Sequence, residues 1–302
     1  MWFWLSLIAL LCWSGSDLFS KIGCRDSSDK YAPLKMVIAV GVVMGLHAAY
    51  EIFIGGTEIS WSVIWTYLPV SLLYISSMAL GYFGLRYIEL SVSSPICNSS
   101  GALVAILTLL FVGTEDYSPL AYAAIALVCC GAIGLGVVDA REDPELRAAR
   151  QEKSNYKYAK SFLALALPVA YCLLDAIGTF ADNRVLETLD EDSANCAYEL
   201  TFLVAAVVCF IYVVVIKKDR LVPKMEAPKY LGAVCETAGQ FAYIYAIADT
   251  AHLAMSAPMI SSYCAASVVW GRIFLKERLS WKHYVMIVLI VVGIAVMGFL
   301  DL

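Results

Sequence analysis

Read for runs of apolar residues, the chain falls into ten stretches at about 2–22, 33–54, 62–86, 91–112, 118–138, 161–182, 194–216, 229–248, 253–272 and 281–300. Each is near the roughly 20 residues a helix needs to cross hydrocarbon. No water is available there to satisfy an open backbone, so each stretch is expected to be a helix. The first begins at Met1-Trp2, with no basic segment before it and no A-x-A-like site after it, and reads as a retained helix. The one long connection, 139–160, is densely charged and is expected to be helical in part. It parts the chain into two sets of five.

Composition narrows the class. Of 302 residues, 61% are hydrophobic and only 16% charged, against about a quarter charged in soluble domains. The mean hydropathy of +0.75 points the same way. A large extramembrane domain, a disulfide scaffold and a nucleic-acid binder are therefore excluded as readings. The ten cysteines lie mostly inside the apolar stretches and form no C-x-x-C, so they read as small packing residues. His47, His252 and His283 are far apart in sequence, and neither a metal nor a cofactor is expected.

The basic residues sort by side. The odd-numbered connections and their flanks hold twenty of the 21 Lys and Arg, and the even-numbered ones hold Arg184 alone. By the positive-inside rule the odd connections are cytoplasmic. Both termini are then extracytoplasmic, in a cell (plasma or inner) membrane.

The second half repeats the first at an offset of about 160 residues. Asp17 falls on Asp175, Tyr67-Leu68 on Tyr230-Leu231, Pro95 on Pro258, Ser99 on Ser262 and Gly131 on Gly293. Five is an odd number of spans, so equivalent helices cross the membrane in opposite directions. The fold class is an all-α membrane protein of ten transmembrane helices in two inverted five-helix repeats, 1–138 and 161–302, joined by the cytoplasmic linker 139–160. Inverted repeats are typical of secondary transporters.

The succession of Ser-x-Pro, a Phe, Glu-x-x-Ser and a glycine-closed last helix, best seen at 256–298, resembles the EamA-type branch of the drug/metabolite transporter superfamily. The first half is looser, with VGTEDYS at 112–118. The resemblance covers essentially the whole chain. It implies a single-chain carrier with a central cavity, and it leaves open amino acids, sugars, nucleobases, choline and drugs as substrates.

Chemistry is expected where charge enters the spans. Asp17, Asp175, Glu199 and Glu236 fall inside predicted helices, and no Lys or Arg lies near the middle of any. A charged group there costs a few kcal/mol or more and usually faces a cavity, so the partner is expected from outside, as a cation or as protons. Plainer roles stand beside this one: Asp17 can pair with Lys21 one turn on, and Glu199 can be a solvated helix-end acid. Gln240 lies one turn from Glu236. Trp13 and Tyr171 each precede an Asp by one turn, and Tyr74, Tyr82, Tyr198, Tyr243 and Tyr263 can line the same space. Aromatic faces beside carboxylates suit an ammonium ion; interface anchoring and packing are the competing readings. Pro95 and Pro258, at mirrored depths, favour kinks.

The expected function is secondary transport, by alternating access, of a small organic cation of the choline/quaternary-ammonium or polyamine kind, with protons as a candidate counter-ion. An amino-acid or other small-metabolite exporter is the alternative. An enzyme is not expected: multi-pass enzymes acting on lipids or prenyl chains usually show paired acidic motifs such as D-x-x-D at a membrane face or a nucleophile with its base, and the acidic run LDEDS (189–193) falls on a short outward loop. A G-x-x-x-x-G-K-[ST] loop is also missing, so gradients would drive transport.

Overall fold

The computed structural model describes residues 1–26, 28–87, 90–112, 117–141, 162–277 and 279–301. The expected linker lies almost wholly outside them, as do Glu115 of the VGTEDYS segment and Arg278. The described chain is helical throughout: α1 Trp2–Cys24, α2 Ala32–Tyr50, α3 Trp61–Tyr87, α4 Leu90–Cys97, α5 Ser100–Phe111, α6 Pro119–Ala140, α7 Phe162–Val185, α8 Glu191–Phe210, α9 Pro223–Ala248, α10 Leu253–Ser261, α11 Tyr263–Phe274 and α12 Trp281–Leu300. Eight spans are long and apolar enough to cross a membrane by composition alone. That count covers the described residues only; of the other two spans, α9 carries Glu236 and Gln240, which dilute its hydropathy.

Two spans expected to be continuous are broken instead. The stretch 90–111 divides into α4 and α5 at Asn98–Ser99, and 253–274 divides into α10 and α11 at Ser262. Each break falls about one turn after a proline, Pro95 or Pro258. A serine hydroxyl then bonds back to a carbonyl near the end of the half-helix: Ser99 Oγ donates to the Pro95 carbonyl at 2.9 Å, and Ser262 Oγ to that of Met259 at 2.5 Å, which also accepts from the Ser262 N–H at 3.2 Å. The missing proline N–H weakens the helix, and a serine makes the interruption tolerable inside a bilayer.

The packing obeys a two-fold exchange of the halves. Helix α1 lies along α9 as α7 lies along α3, and α5 meets α10 as α11 meets α4. Helices α2 and α8 pack on each other, as do α6 and α12. At the latter contact a Cβ on Gly131 would come within 3.0 Å of the Met286 carbonyl, and one on Gly293 within 3.0 Å of the Ala124 carbonyl. The second pair is the first with its halves exchanged. Helices α2 and α8 also close alike, each unwinding into a π-turn, Glu51–Gly55 and Ile211–Ile216. Left-handed residues follow at Gly56 (φ 84°) and Lys218 (φ 54°). The inverted repeat is thus present in the packing as well as in the sequence.

Candidate functional site

A cavity of about 80 Å³ (the space open to the centres of water molecules) lies between the halves. At 10–15 Å³ per water this is room for roughly five to eight waters, the scale of a small organic solute. Its walls come from α1, α3, α4, α5, α7, α8, α9, α10, α11 and the α4–α5 break; α2, α6 and α12 contribute no described residue. Helical spacing explains the selection. Trp13, Asp17 and Ser20 share one face of α1, Tyr171, Asp175 and Thr179 one face of α7, and Glu236, Gln240 and Tyr243 one face of α9.

Eleven of the twelve residues expected to bind substrate line this one space: Trp13, Asp17, Tyr74, Tyr82, Tyr171, Asp175, Tyr198, Glu236, Gln240, Tyr243 and Tyr263. Glu199 does not. Its carboxylate is fully buried between α2 and α8, 2.9 Å and 3.0 Å from His47 Nδ1, and accepts from Asn195 Nδ2 at 3.2 Å. It is therefore not a solvated acid either; a partner 152 residues away in sequence gives no local signal. Trp270 lies outside the wall and donates from Nε1 to Ser14 Oγ at 3.0 Å.

The cavity carboxylates are held by hydroxyls. Asp17 Oδ2 accepts from Ser94 Oγ at 2.5 Å and from Ser267 Oγ at 2.8 Å, drawing α4 and α11 onto α1. The Lys21 ammonium goes to the Leu85 carbonyl, 2.9 Å away, and not to Asp17. Asp175 Oδ2 accepts from Ser100 Oγ at 2.7 Å, at the start of α5, and Glu236 is bonded to Ser16. All three acids lie deep in the protein yet remain partly exposed, because their open surface is the cavity wall. No Lys, Arg or His occurs among the described lining residues. The aromatic rings stand around them: Trp13 packs on Tyr243 with centroids 4.9 Å apart and meets Tyr263 edge-on at 5.8 Å, and Tyr74 meets Tyr198 edge-on at 5.9 Å.

Two charged groupings escaped the sequence reading. Asp182, which falls at the edge of its predicted span, is wholly buried and bonded to Tyr67 and Tyr74 at 2.8 Å and 3.2 Å. A signal for it existed, since it lies seven residues after Asp175 on the same stripe of α7. The second is a buried ion network on the expected cytoplasmic side. Lys35 Nζ lies 2.9 Å from Asp29, 3.4 Å from Asp219 and 3.8 Å from Glu226; Lys229 Nζ lies 3.2 Å from Asp29 and 3.0 Å from Glu226. These residues come from both halves, a pairing that spacing along the chain cannot announce. No group of three metal-ligating side chains forms among the described residues.

A ten-span helical bundle with an inverted repeat around a central polar cavity defines a multi-pass membrane carrier. Residues 163–299 match the EamA-like transporter family, so the second half of the chain carries an EamA-like transporter domain. A solved structure titled only "Crystal structure of protein" is similar over 98% of this chain and 96% of that one, with a TM-score of 0.63 and 14% identity, a likeness of fold alone. No curated protein matches the sequence.

Proposed function

We propose that this transporter is a secondary active carrier of a small organic cation, a quaternary ammonium compound such as choline or a polyamine-like amine, with protons as the counter-ion. The observation that carries the reading is a cavity walled by Asp17, Asp175 and Glu236 and by aromatic rings, with no basic side chain among the described lining residues. Several kcal/mol of desolvation per buried carboxylate must be offset. A bound cation does so by charge, and the ring faces add attraction of about 0.5–2 kcal/mol each. Residues 1–138 and 161–302 act as the two bodies of alternating access, and 139–160 connects them on the cytoplasmic side with both termini outside. The helix breaks after Pro95 and Pro258 supply the joints.

One observation favours the alternative, an amino-acid or similar metabolite exporter. Trp13 Nε1, Tyr82 Oη and Gln240 Nε2 are buried donors in cavity-wall residues with no hydrogen-bond partner among the described residues, and an acceptor such as a substrate carboxylate would satisfy them. A thermal-stability panel on purified protein separates the two. Stabilisation by tetramethylammonium, choline or spermidine, followed by flux of the stabilising compound in proteoliposomes, is the expected result. Stabilisation by zwitterionic amino acids alone would overturn the cation reading.

A further inference from the structure

We propose that Asp182 is a proton-binding site, separate from the cavity carboxylates and joined to the cavity by a relay of hydroxyl groups. Asp182 is not part of the cavity wall, but Tyr74, Thr179 and Tyr243 are. Behind them the oxygens form one network. Tyr67 Oη lies 2.8 Å from Asp182 Oδ1, and Tyr74 Oη 3.2 Å from Oδ2. Tyr74 Oη is also 2.5 Å from Tyr243 Oη and 3.2 Å from Thr179 Oγ1, and Tyr243 Oη is 3.1 Å from Thr179 Oγ1.

Proton counting turns this geometry into a site. The network has five oxygen–oxygen contacts at hydrogen-bonding distance, and each needs one hydrogen. The four hydroxyls supply one apiece. With Asp182 ionised, Tyr67 and Tyr74 donate to it, and the two hydrogens left cannot fill the three contacts among Tyr74, Tyr243 and Thr179. With Asp182 neutral, its own proton is donated to Tyr74, and Tyr74, Tyr243 and Thr179 donate around a closed ring while Tyr67 still bonds Oδ1. Five contacts then hold five hydrogens, and no hydroxyl accepts more than two.

No other charge competes for the role. The groups facing Asp182 are Tyr67 and Tyr74 from α3, Tyr198 from α8, Tyr243 from α9 and Asp175 two turns along its own helix. Of the other helices packed on α7, α4 brings Cys97 and α5 brings no titratable side chain. Arg184 turns away to Glu187 at 2.6 Å, and no salt bridge among the described residues reaches Asp182. Loading is balanced atom by atom. A hydronium ion in the cavity gives a proton to the Thr179 oxygen and is left as water, as the Thr179 hydrogen passes to Tyr74 and the Tyr74 hydrogen passes to Asp182 Oδ2. Each O–H bond that breaks is matched by one that forms, and the net product is a neutral Asp182 behind intact hydroxyls. The proton's use in coupling rests on the carrier reading; the site itself does not.

Infrared difference spectra of the purified full chain test the site without any ligand. A carbonyl stretch of a protonated carboxylic acid is expected in the wild type, lost in Asp182→Asn and kept in Asp175→Asn. In Tyr74→Phe the band should shift, and its deuterium exchange should slow about tenfold, the order of one net hydrogen bond. Tyr67→Phe, on the side of the carboxyl away from the relay, should leave the exchange rate as it was. An unchanged band in Asp182→Asn overturns the proposal. Should that variant not fold, unslowed exchange in Tyr74→Phe overturns it and slowed exchange supports it. A band that behaves as expected, in a protein that releases no proton when tetramethylammonium or spermidine is added, counts against cation–proton exchange and leaves the Asp182 site standing.

Discussion

Lys229→Met is the sharpest test of what holds the two halves together on the expected cytoplasmic side. The Lys229 side chain is fully buried, and its aliphatic stem packs on α1 so closely that a Cβ at Gly23 would lie 2.6 Å from Lys229 Cγ. Methionine keeps most of that stem, so the substitution removes mainly the charge. The ammonium lies 3.0 Å from Glu226 Oε2 and 3.2 Å from Asp29 Oδ2 and donates to the Met225 carbonyl at 3.1 Å. Without it Lys35 is the ammonium left, among the ion pairs of the described residues, to face two buried carboxylates and the partly exposed Asp219. It stays close to Asp29 at 2.9 Å but is 3.8 Å from Glu226. Removing one partner from a buried pair costs about 3–5 kcal/mol, because the other charge is left without compensation. For a chain of this size that is a fall of roughly 10 °C in the thermal midpoint, measured as the monodisperse fraction surviving heating in detergent. Lys229→Met combined with Glu226→Gln removes one charge of each sign and should recover much of the loss, so the two changes are non-additive. A single variant within about 1 kcal/mol of wild type, or a double variant as poor as the two losses summed, would refute the reasoning. The network also spans both halves, so a surviving Lys229→Met protein should open more readily on that face, read as faster alkylation of a cysteine placed beneath the cavity.

Three further outcomes are expected. Asp175→Asn and Glu236→Gln should each abolish flux in proteoliposomes while size-exclusion profiles stay those of wild type; normal flux in both would remove the cavity from the mechanism. Glu199→Gln should retain flux, since Glu199 lies outside the cavity, and should lose about 1.5–3 kcal/mol of stability with its charged hydrogen bond to His47, seen as a lower thermal midpoint. Gly131→Ala and Gly293→Ala should cost similar amounts, about 1–3 kcal/mol each, because each new Cβ meets a backbone carbonyl at 3.0 Å across the α6–α12 contact; clearly unequal costs would contradict the two-fold exchange there.

Much of the architecture was legible in the chain because a bilayer permits few solutions. Backbone groups must be satisfied within each span, so runs of apolar residues mark helices. The repeat could be read from matched residues such as Pro95 and Pro258. The breaks that follow those prolines could not, because a proline alone does not say whether a helix bends or stops. What the structure adds is the stop itself, with Ser99 and Ser262 bonded back to a carbonyl at each break.

The site divides in the same way. An acid in a membrane helix announces itself by its cost, and one helical face carries Trp13 with Asp17 as another carries Tyr171 with Asp175, so most of the cavity wall followed from spacing. Sequence alone does not say what an acid's partner is. Glu199 has the same hydropathic signature as Glu236, yet α2 brings His47 against the first while α1, α3 and α7 leave the second open to the cavity. Asp182 sat at the boundary of its span, where a charge costs little in a linear reading, and only the packing of α3 and α9 on α7 encloses it among hydroxyls. The chain by itself determined the number and repetition of the helices, which are set by the solvent around them. The tertiary structure decided which polar groups meet, because hydrogen bonds and charges act over a few ångströms between residues a hundred or more positions apart.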